Sequence, residues 1–343
     1  MTKRPLRALV LVHETLVPPE STSGYSPQEI DEWRTEYDVT ASLKAMGHEV
    51  KVLGMGDNLA ELRSTIMEWK PDIAFNLLEE FQGIVTYDQY VVAFLELMRL
   101  PYTGCNPRGM MISRDKVLSK QILAYHRIRT ARYALLPRKR RYAVPRRLKF
   151  PLFVKSATED ASLGISQASI VYDGQKLRER VEFIHEQTNS DALVEEYIEG
   201  RELYIGVMGN ERLTTLPVWE LNFGTLPDVM SIATRKVKWD RKYQTRHGID
   251  TGPARDLPPG LSPRLAALVR RIYRALSLSG YARIDLRLKP DGGVYVLEAN
   301  ANPNLAQTED FATSALACGM GYEVVLQRIM QYGQNYVAAW RQA

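Results

Sequence analysis

Asp285, Glu298 and Asn300 stand in one stretch, ARIDLRLKPDGGVYVLEANANPN, residues 282–304. Residues 283–289 alternate apolar and charged side chains, residues 294–299 are again strand-like, and Pro290-Asp291-Gly292-Gly293 lies between them. That composition is a hairpin signal, because glycine tolerates the positive φ of tight turns. Centring the turn on Asp291-Gly292 pairs Lys289 with Val294, Arg287 with Val296, Asp285 with Glu298, and Arg283 with Asn300. Alternation then puts Ile284, Leu286, Leu288, Tyr295, Leu297 and Ala299 on an apolar face. Arg283, Asp285, Glu298 and Asn300 share the other. Two opposed carboxylates repel, and a cation between them would offset the cost. Oxygen donors of this kind suit magnesium, which keeps some waters and takes phosphate oxygens. A solvated hairpin also turns polar residues outward, but Asn300 is an unusual choice for solvation alone.

Other chemistry-bearing residues lie upstream. Lys155 closes an apolar strand just before a loop containing Ala161, Ser162 and Gly164, where backbone N–H groups could approach a phosphate. Glu195 and Glu202 flank Gly200 in LVEEYIEGRELYIG. A carboxylate there can accept from an adenine amino group or a ribose hydroxyl, and the backbone at Tyr197 and Ile198 can read a purine edge. Taken singly, these segments read more readily as a solvated lysine and a hairpin with solvent-facing acids. The Walker spacing is absent.

The elements that must position these groups follow from periodicity. Residues 6–13 read as a buried parallel strand, followed by a polar, proline-bearing insert, ETLVPPESTSGYSPQEIDEW, expected as a mobile, lid-like loop. A helix ending near Gly47, a strand at 49–53, a helix at 58–69, a strand at 72–76 and a helix at 87–98 make an open α/β domain. Residues 113–128 read as one amphipathic helix and PRKRRYAVPRRLKF as a solvated basic loop. Strand–loop–strand (151–171) and strand–turn–strand (192–210) segments follow, then a helix at 262–278 before the hairpin and a mostly helical tail. With 343 residues the chain has room for two or three domains. A formal charge of +5 permits anionic ligands without arguing for nucleic acid. Cys105 and Cys318 lack metal or redox spacing. No signal peptide or bilayer-length apolar run is evident, so a cytoplasmic location is expected, with no nucleic-acid or membrane partner.

In order, these segments resemble the ATP-grasp superfamily, specifically its D-alanine–D-alanine ligase branch, over nearly the whole chain. LPYTGCNPRGMMISRDKVLSKQIL is similar to that branch's PYTG and DK-xxx-K segment, implying Lys116 and Lys155 on the nucleotide phosphates. ALVEEYIEGRELYIGV is similar to its adenine hinge, implying Glu195 toward adenine and Glu202 on ribose. DRKYQTRHGIDTGPARDLP resembles its mobile loop, making Lys242 a candidate for the γ-phosphate. The hairpin resembles its Arg-Ile-Asp and Glu-x-Asn motif, implying Asp285, Glu298 and Asn300 on magnesium and Arg283 at the reacting phosphoryl group. The resemblance implies a fold of an N-terminal α/β domain (1–105) followed by two α+β lobes (106–195 and 196–343) clamping ATP. The activity implied is ATP-dependent, ADP-forming joining of a small-molecule carboxylate and an amine through an acyl phosphate. The cofactors implied are ATP and paired magnesium ions, with manganese able to substitute, and a homodimer is left open.

Departures fall at substrate positions. The branch's opening glycine-rich segment is interrupted by the insert, so Glu36 is the candidate for its catalytic glutamate. Glu79 stands where the family has His-Gly, Asn304 replaces a glycine, and Glu309 falls near a serine. Carboxylates there would repel a substrate carboxylate and attract an amine. The expected substrate is therefore an amino acid or amine other than D-alanine. A D-alanine ligase, or a nucleotide-binding module without ligase chemistry, are the alternatives.

Overall fold

The computed structural model describes residues 4–158, 165–226, 232–234, 237 and 240–341. The first sheet is parallel, ordered β2-β1-β3, from β1 (Arg7–His13), β2 (Glu49–Met55) and β3 (Ile73–Asn76). In β1, Ala8, Leu9, Val10, Leu11 and Val12 are all buried, as a strand covered on both faces requires. Helices Arg34–Ala45, Ala60–Trp69 and Asp88–Leu97 alternate with these strands. The insert is less loop-like than its composition suggests, containing the helix Pro27–Glu32. Ser26 and Glu29 form a reciprocal capping box with Pro27 in the first turn, satisfying two amides that a helix start leaves open.

The second sheet is antiparallel, ordered β4-β7-β5-β6: β4 (Tyr133–Leu136), β5 (Leu152–Ser156), β6 (Ile170–Val171) and β7 (Ala192–Glu196). It packs through Leu152, Val154 and Val194 onto Leu177, Val181 and Ile184 of the helix Gly174–Thr188. The third sheet runs β11-β10-β8-β12-β13, with β9 beside β8. Its strands are β8 (Arg201–Met208), β9 (Thr214–Thr215), β10 (Trp219–Asn222), β11 (Asp250–Pro253), β12 (Tyr281–Leu288) and β13 (Val294–Asn300). The helix Leu261–Ala275 covers one face of this sheet with Leu261, Leu265, Val269, Ile272 and Tyr273. Their spacing of three and four makes one stripe.

Two sequence expectations change in ways that matter for the site. The helix expected at 113–128 is two, Pro107–Arg114 and Lys116–Tyr125, broken at Asp115. Asp115 caps the second by accepting from Val117 N at 3.0 Å and Leu118 N at 2.8 Å. The strand–turn–strand at 192–210 is not a hairpin. Its strands β7 and β8 belong to different sheets, so residues 197–200 are the crossing between lobes. Met110, Ile112, Leu123 and Ile128 bury themselves with Leu203, Ile284 and Leu286 of the third sheet.

Candidate active site

At this crossing a cleft opens between the second and third sheets, with Phe153, Lys155 and Glu195 on one wall and Glu202, Asp285, Arg287 and Glu298 on the other. Tyr197 and Ile198 line its back. The Tyr197 amide donates to Pro151 O at 3.0 Å and that of Glu196 to Arg132 O at 2.8 Å. Among the described residues the Ile198 N–H has no backbone or side-chain acceptor. A cleft-lining amide of that kind must find water or a ligand.

Lys120 and Lys155 converge on Glu195. Lys155 Nζ stands 3.1 Å from Glu195 Oε2, and Lys120 pairs with Oε1. All three residues are buried. Burial alone would raise the Glu195 carboxyl, but the two ammonium groups hold it down to about 2. Burial pushes Lys120 below the ordinary lysine value, with Glu195 opposing. Two buried ammonium groups thus meet at one carboxylate beside the cleft, and the charge of Glu298 also reaches Lys120.

The opposite wall is the hairpin. Arg283 pairs with Asn300 and Asp285 with Glu298, as counted from sequence, but Leu286 then faces Val296, Arg287 faces Tyr295 and Leu288 faces Val294. The turn is one residue tighter than expected, with Lys289 N donating to Gly293 O and Gly292 N to Lys289 O, both at 2.9 Å. Gly292 has φ +78°. A β-bulge at Leu297 absorbs the difference before Glu298 is reached. The tighter turn and the bulge offset each other, so the expected pairing holds at the carboxylates and not nearer the tip. The faces change accordingly. Val294 and Val296 join Ile284, Leu286, Leu288 and Ala299 on the core, while Leu297 turns into the cleft.

Asp285 accepts from Arg283 Nε at 2.8 Å and Nη2 at 2.9 Å. The guanidinium lies 4.6 Å over the Tyr204 ring and its Nη1 is 4.0 Å from Asp310. Asn300 Oδ1 accepts from Asn302 N at 2.9 Å. Among the described residues no three His, Cys, Asp or Glu side chains form a metal cluster. The hard oxygens of Asp285, Glu298 and Asn300 nevertheless suit a divalent cation whose other positions are taken by water and phosphate.

Cross-lobe hydrogen bonds bring the expected substrate residues toward the hairpin's end. Asn302 Nδ2 donates to Leu78 O at 3.0 Å, next to Glu79. Thr35 Oγ1 donates to Asn304 Oδ1 at 2.7 Å, next to Glu36. Asn304 Oδ1 also receives Ala306 N at 2.8 Å, so its carbonyl braces the loop. Glu36 is buried on its helix. Burial pushes its carboxyl up to about 7; its own backbone N–H pulls down and Glu79 adds to the rise. His13 Nε2 stands 3.5 Å from Glu80. Glu309 precedes the helix Asp310–Ala317 as its N-cap.

The remaining candidates take these places. Lys120, one turn beyond Lys116, is the lysine that meets Glu195. Lys116 sits in the helix's first turn with its amide on Ala157 O at 3.2 Å. The DK-xxx-K spacing contains both lysines. Glu195, expected toward adenine, lines the cleft while pairing with Lys120 and Lys155. Lys242 lies exposed on the short helix Arg241–His247, whose Arg241 Nη2 pairs with Asp31 of the insert at 2.8 Å. Ser162 lies outside the described residues. Arg287 and Leu297 were not singled out as site residues. Arg287 shares the parity of Asp285 along β12, which could have placed it in the cleft.

A parallel α/β domain followed by two antiparallel-sheet lobes with a charged cleft between them is the ATP-grasp architecture. The family model for the D-ala D-ala ligase C-terminus matches residues 118–331. An uncharacterized protein, y4sG, of Sinorhizobium fredii is 31% identical over 316 residues, covering 89% of this chain and 88% of its own. A D-alanine–D-alanine ligase of Carboxydothermus hydrogenoformans is 28% identical, covering 90% and 96%. The crystal structure of D-alanine–D-alanine ligase from Bacillus anthracis complexed with ATP superposes with TM-score 0.73 at 26% identity, covering 96% of this chain and 97% of that one. The chain belongs to the D-alanine–D-alanine ligase family, whose members are ADP-forming ATP-grasp ligases.

Proposed function

We propose that the chain binds ATP in the cleft between β5, β7 and β12 and joins a small carboxylate to an amine that carries no carboxylate of its own at the acceptor position. The carrying observation is the distribution of charge about the cleft: Lys155, with Lys120 behind it, on Glu195 at one wall, and Asp285 and Glu298, paired across the hairpin two residues before Asn300, at the other. The first wall suits polyphosphate oxygens. On the second, Asp285, Glu298 and Asn300 would hold a divalent cation, which neutralises phosphate charge when bound. The Ile198 amide would meet the purine edge and Glu202 the ribose. Lys116 and Lys242, and Ser162 outside the described residues, remain candidates for the phosphates. The proposed lobes divide near residues 105 and 195.

In the reaction the substrate carboxylate attacks the γ-phosphorus, ADP leaves, and the amine displaces phosphate from the acyl carbon. Arg283, held by Asp285 at the cleft's wall, would counter charge developing on the transferred group. Glu36, with its carboxyl near 7, is suited to take the amine's proton at neutral pH. Glu79 beside it, with Glu309 as the further candidate, favours a cationic amine. The names of the relatives favour a second reading, D-alanine at both positions.

A phosphate- and ADP-release screen over D-alanine, other amino acids, short peptides and polyamines distinguishes these. Amine-dependent ADP release with a polyamine or an amine-bearing acceptor, and none with D-alanine alone, supports the proposal. Release with D-alanine alone moves the chain to the second reading. Absence of ADP release with every pair leaves only nucleotide binding and defeats the ligase assignment of the cleft.

A further inference from the structure

Arg287 is a charged side chain with 3% exposure inside the cleft, and its contacts are specific. It lies opposite Glu202 across the β8–β12 ladder. Its Nη2 donates to Glu202 Oε2 at 2.7 Å, while Nη1 donates to Gly200 O at 2.8 Å. Glu202 Oε1 receives the Tyr204 hydroxyl at 2.8 Å. Burial, then the charges of Glu202 and Asp285, raise Tyr204 well above its ordinary value, so the hydroxyl stays a donor.

We propose that Arg287 is a positioning residue that confers ribose selectivity on the nucleotide site. This rests on the nucleotide reading above. A carboxylate has about four acceptor positions. Arg287 and Tyr204 take one on each oxygen, and the others are left to a ligand in the cleft that Glu202 lines. The vicinal hydroxyls of a ribose are donors of matching number. A 2′-deoxyribose would leave one buried acceptor short, the costly case for a buried polar group.

Arg287 also fixes where that acceptor stands relative to the base. Gly200 has φ +140°, and a Cβ there would meet Leu288 O at 2.2 Å, so the crossing lies hard against β12. Gripping Gly200 O and Glu202 together ties the ribose acceptor to the segment that carries Ile198. The planar fork of an arginine can reach both, whereas a lysine presents one point charge.

Calorimetric titration of the full chain with ATP and with 2′-deoxyATP, in magnesium buffer, tests this without an acceptor substrate. The wild type should bind ATP at least about tenfold more tightly. In Arg287→Met ATP should weaken by about tenfold and 2′-deoxyATP by less, bringing their ratio toward one. Arg287→Lys should keep part of the ratio, and it decides the matter if thermal melting shows Arg287→Met unfolded. A wild-type ratio near one, or an unchanged ratio in a folded Arg287 variant, overturns the proposal. Glu202→Gln separates the failures. A ratio lost there but kept in the Arg287 variants defeats Arg287 alone. If wild type binds neither nucleotide, the nucleotide reading fails and takes this inference with it.

Discussion

Arg283 grips Asp285 through two parallel hydrogen bonds, at 2.8 and 2.9 Å, from two positions along the same strand face. The opposition of Asp285 and Glu298 seemed from sequence to demand an external cation. The guanidinium supplies one internally, so the hairpin can fold before any divalent ion arrives. Burial would weaken its hold on the proton, but Asp285 raises Arg283 well above its ordinary value.

Asp285→Asn should therefore cost stability as well as metal-dependent turnover. Removing one partner of a buried pair typically costs about 3 kcal/mol. Glu298→Gln should abolish turnover too, and should cost less stability than Asp285→Asn because Glu298 is the less buried of the two. Urea unfolding and ADP production measure the two effects. Equal stability loss in both variants, or wild-type turnover at saturating magnesium in either, contradicts this account.

Glu195→Gln should destabilise the chain by about 3–5 kcal/mol, because Lys120 and Lys155 are left buried without their carboxylate. Added ATP should raise the melting temperature of this variant more than that of wild type, since phosphate replaces the missing charge. The pH dependence has a defined sign. With its folded value depressed to about 2 from 4.5, Glu195 contributes stability above 4.5 that is lost as pH falls toward 2. Wild type should lose this increment on acidification, and the variant should not.

Glu36 behaves oppositely. Its folded value is raised from 4.5 to about 7, so the folded state holds the proton more tightly. Its contribution is intact below 4.5 and declines as pH rises to about 7. Glu36→Gln should therefore gain up to about 3 kcal/mol over wild type at pH 8 and little at pH 4. It should also flatten the neutral limb of the pH–rate profile. A constant stability difference across this range would show that Glu36 is not a buried titrating acid.

The chemistry was legible where it depends on residue type and short spacing. The apolar runs of β1 and β3 and the Asp285–Glu298 pairing are local patterns. What sequence could not give was partnership between distant strands. Nothing in ALVEEYIEGRELYIGV says that its two halves enter different sheets, because that choice is made by packing on residues 177–184 and 261–276. For the same reason the two lysine partners of Glu195 could not be read from its own segment. Leu297 was misplaced because a bulge has no sequence signature in that run. The helix Pro27–Glu32 was missed although Ser26, Pro27 and Glu29 form a start signal, since polar composition outweighed the cap.

The bulge at Leu297 divides the hairpin into two halves with independent registers. Between the tip and the bulge, Leu286 to Leu288 pair with Val296 to Val294; beyond it, Asp285 and Arg283 pair with Glu298 and Asn300. A bulge works as a slip joint. The tip and the carboxylates are thereby set by different features, and removing the extra residue at Leu297 would carry Glu298 to the opposite face whatever the turn does.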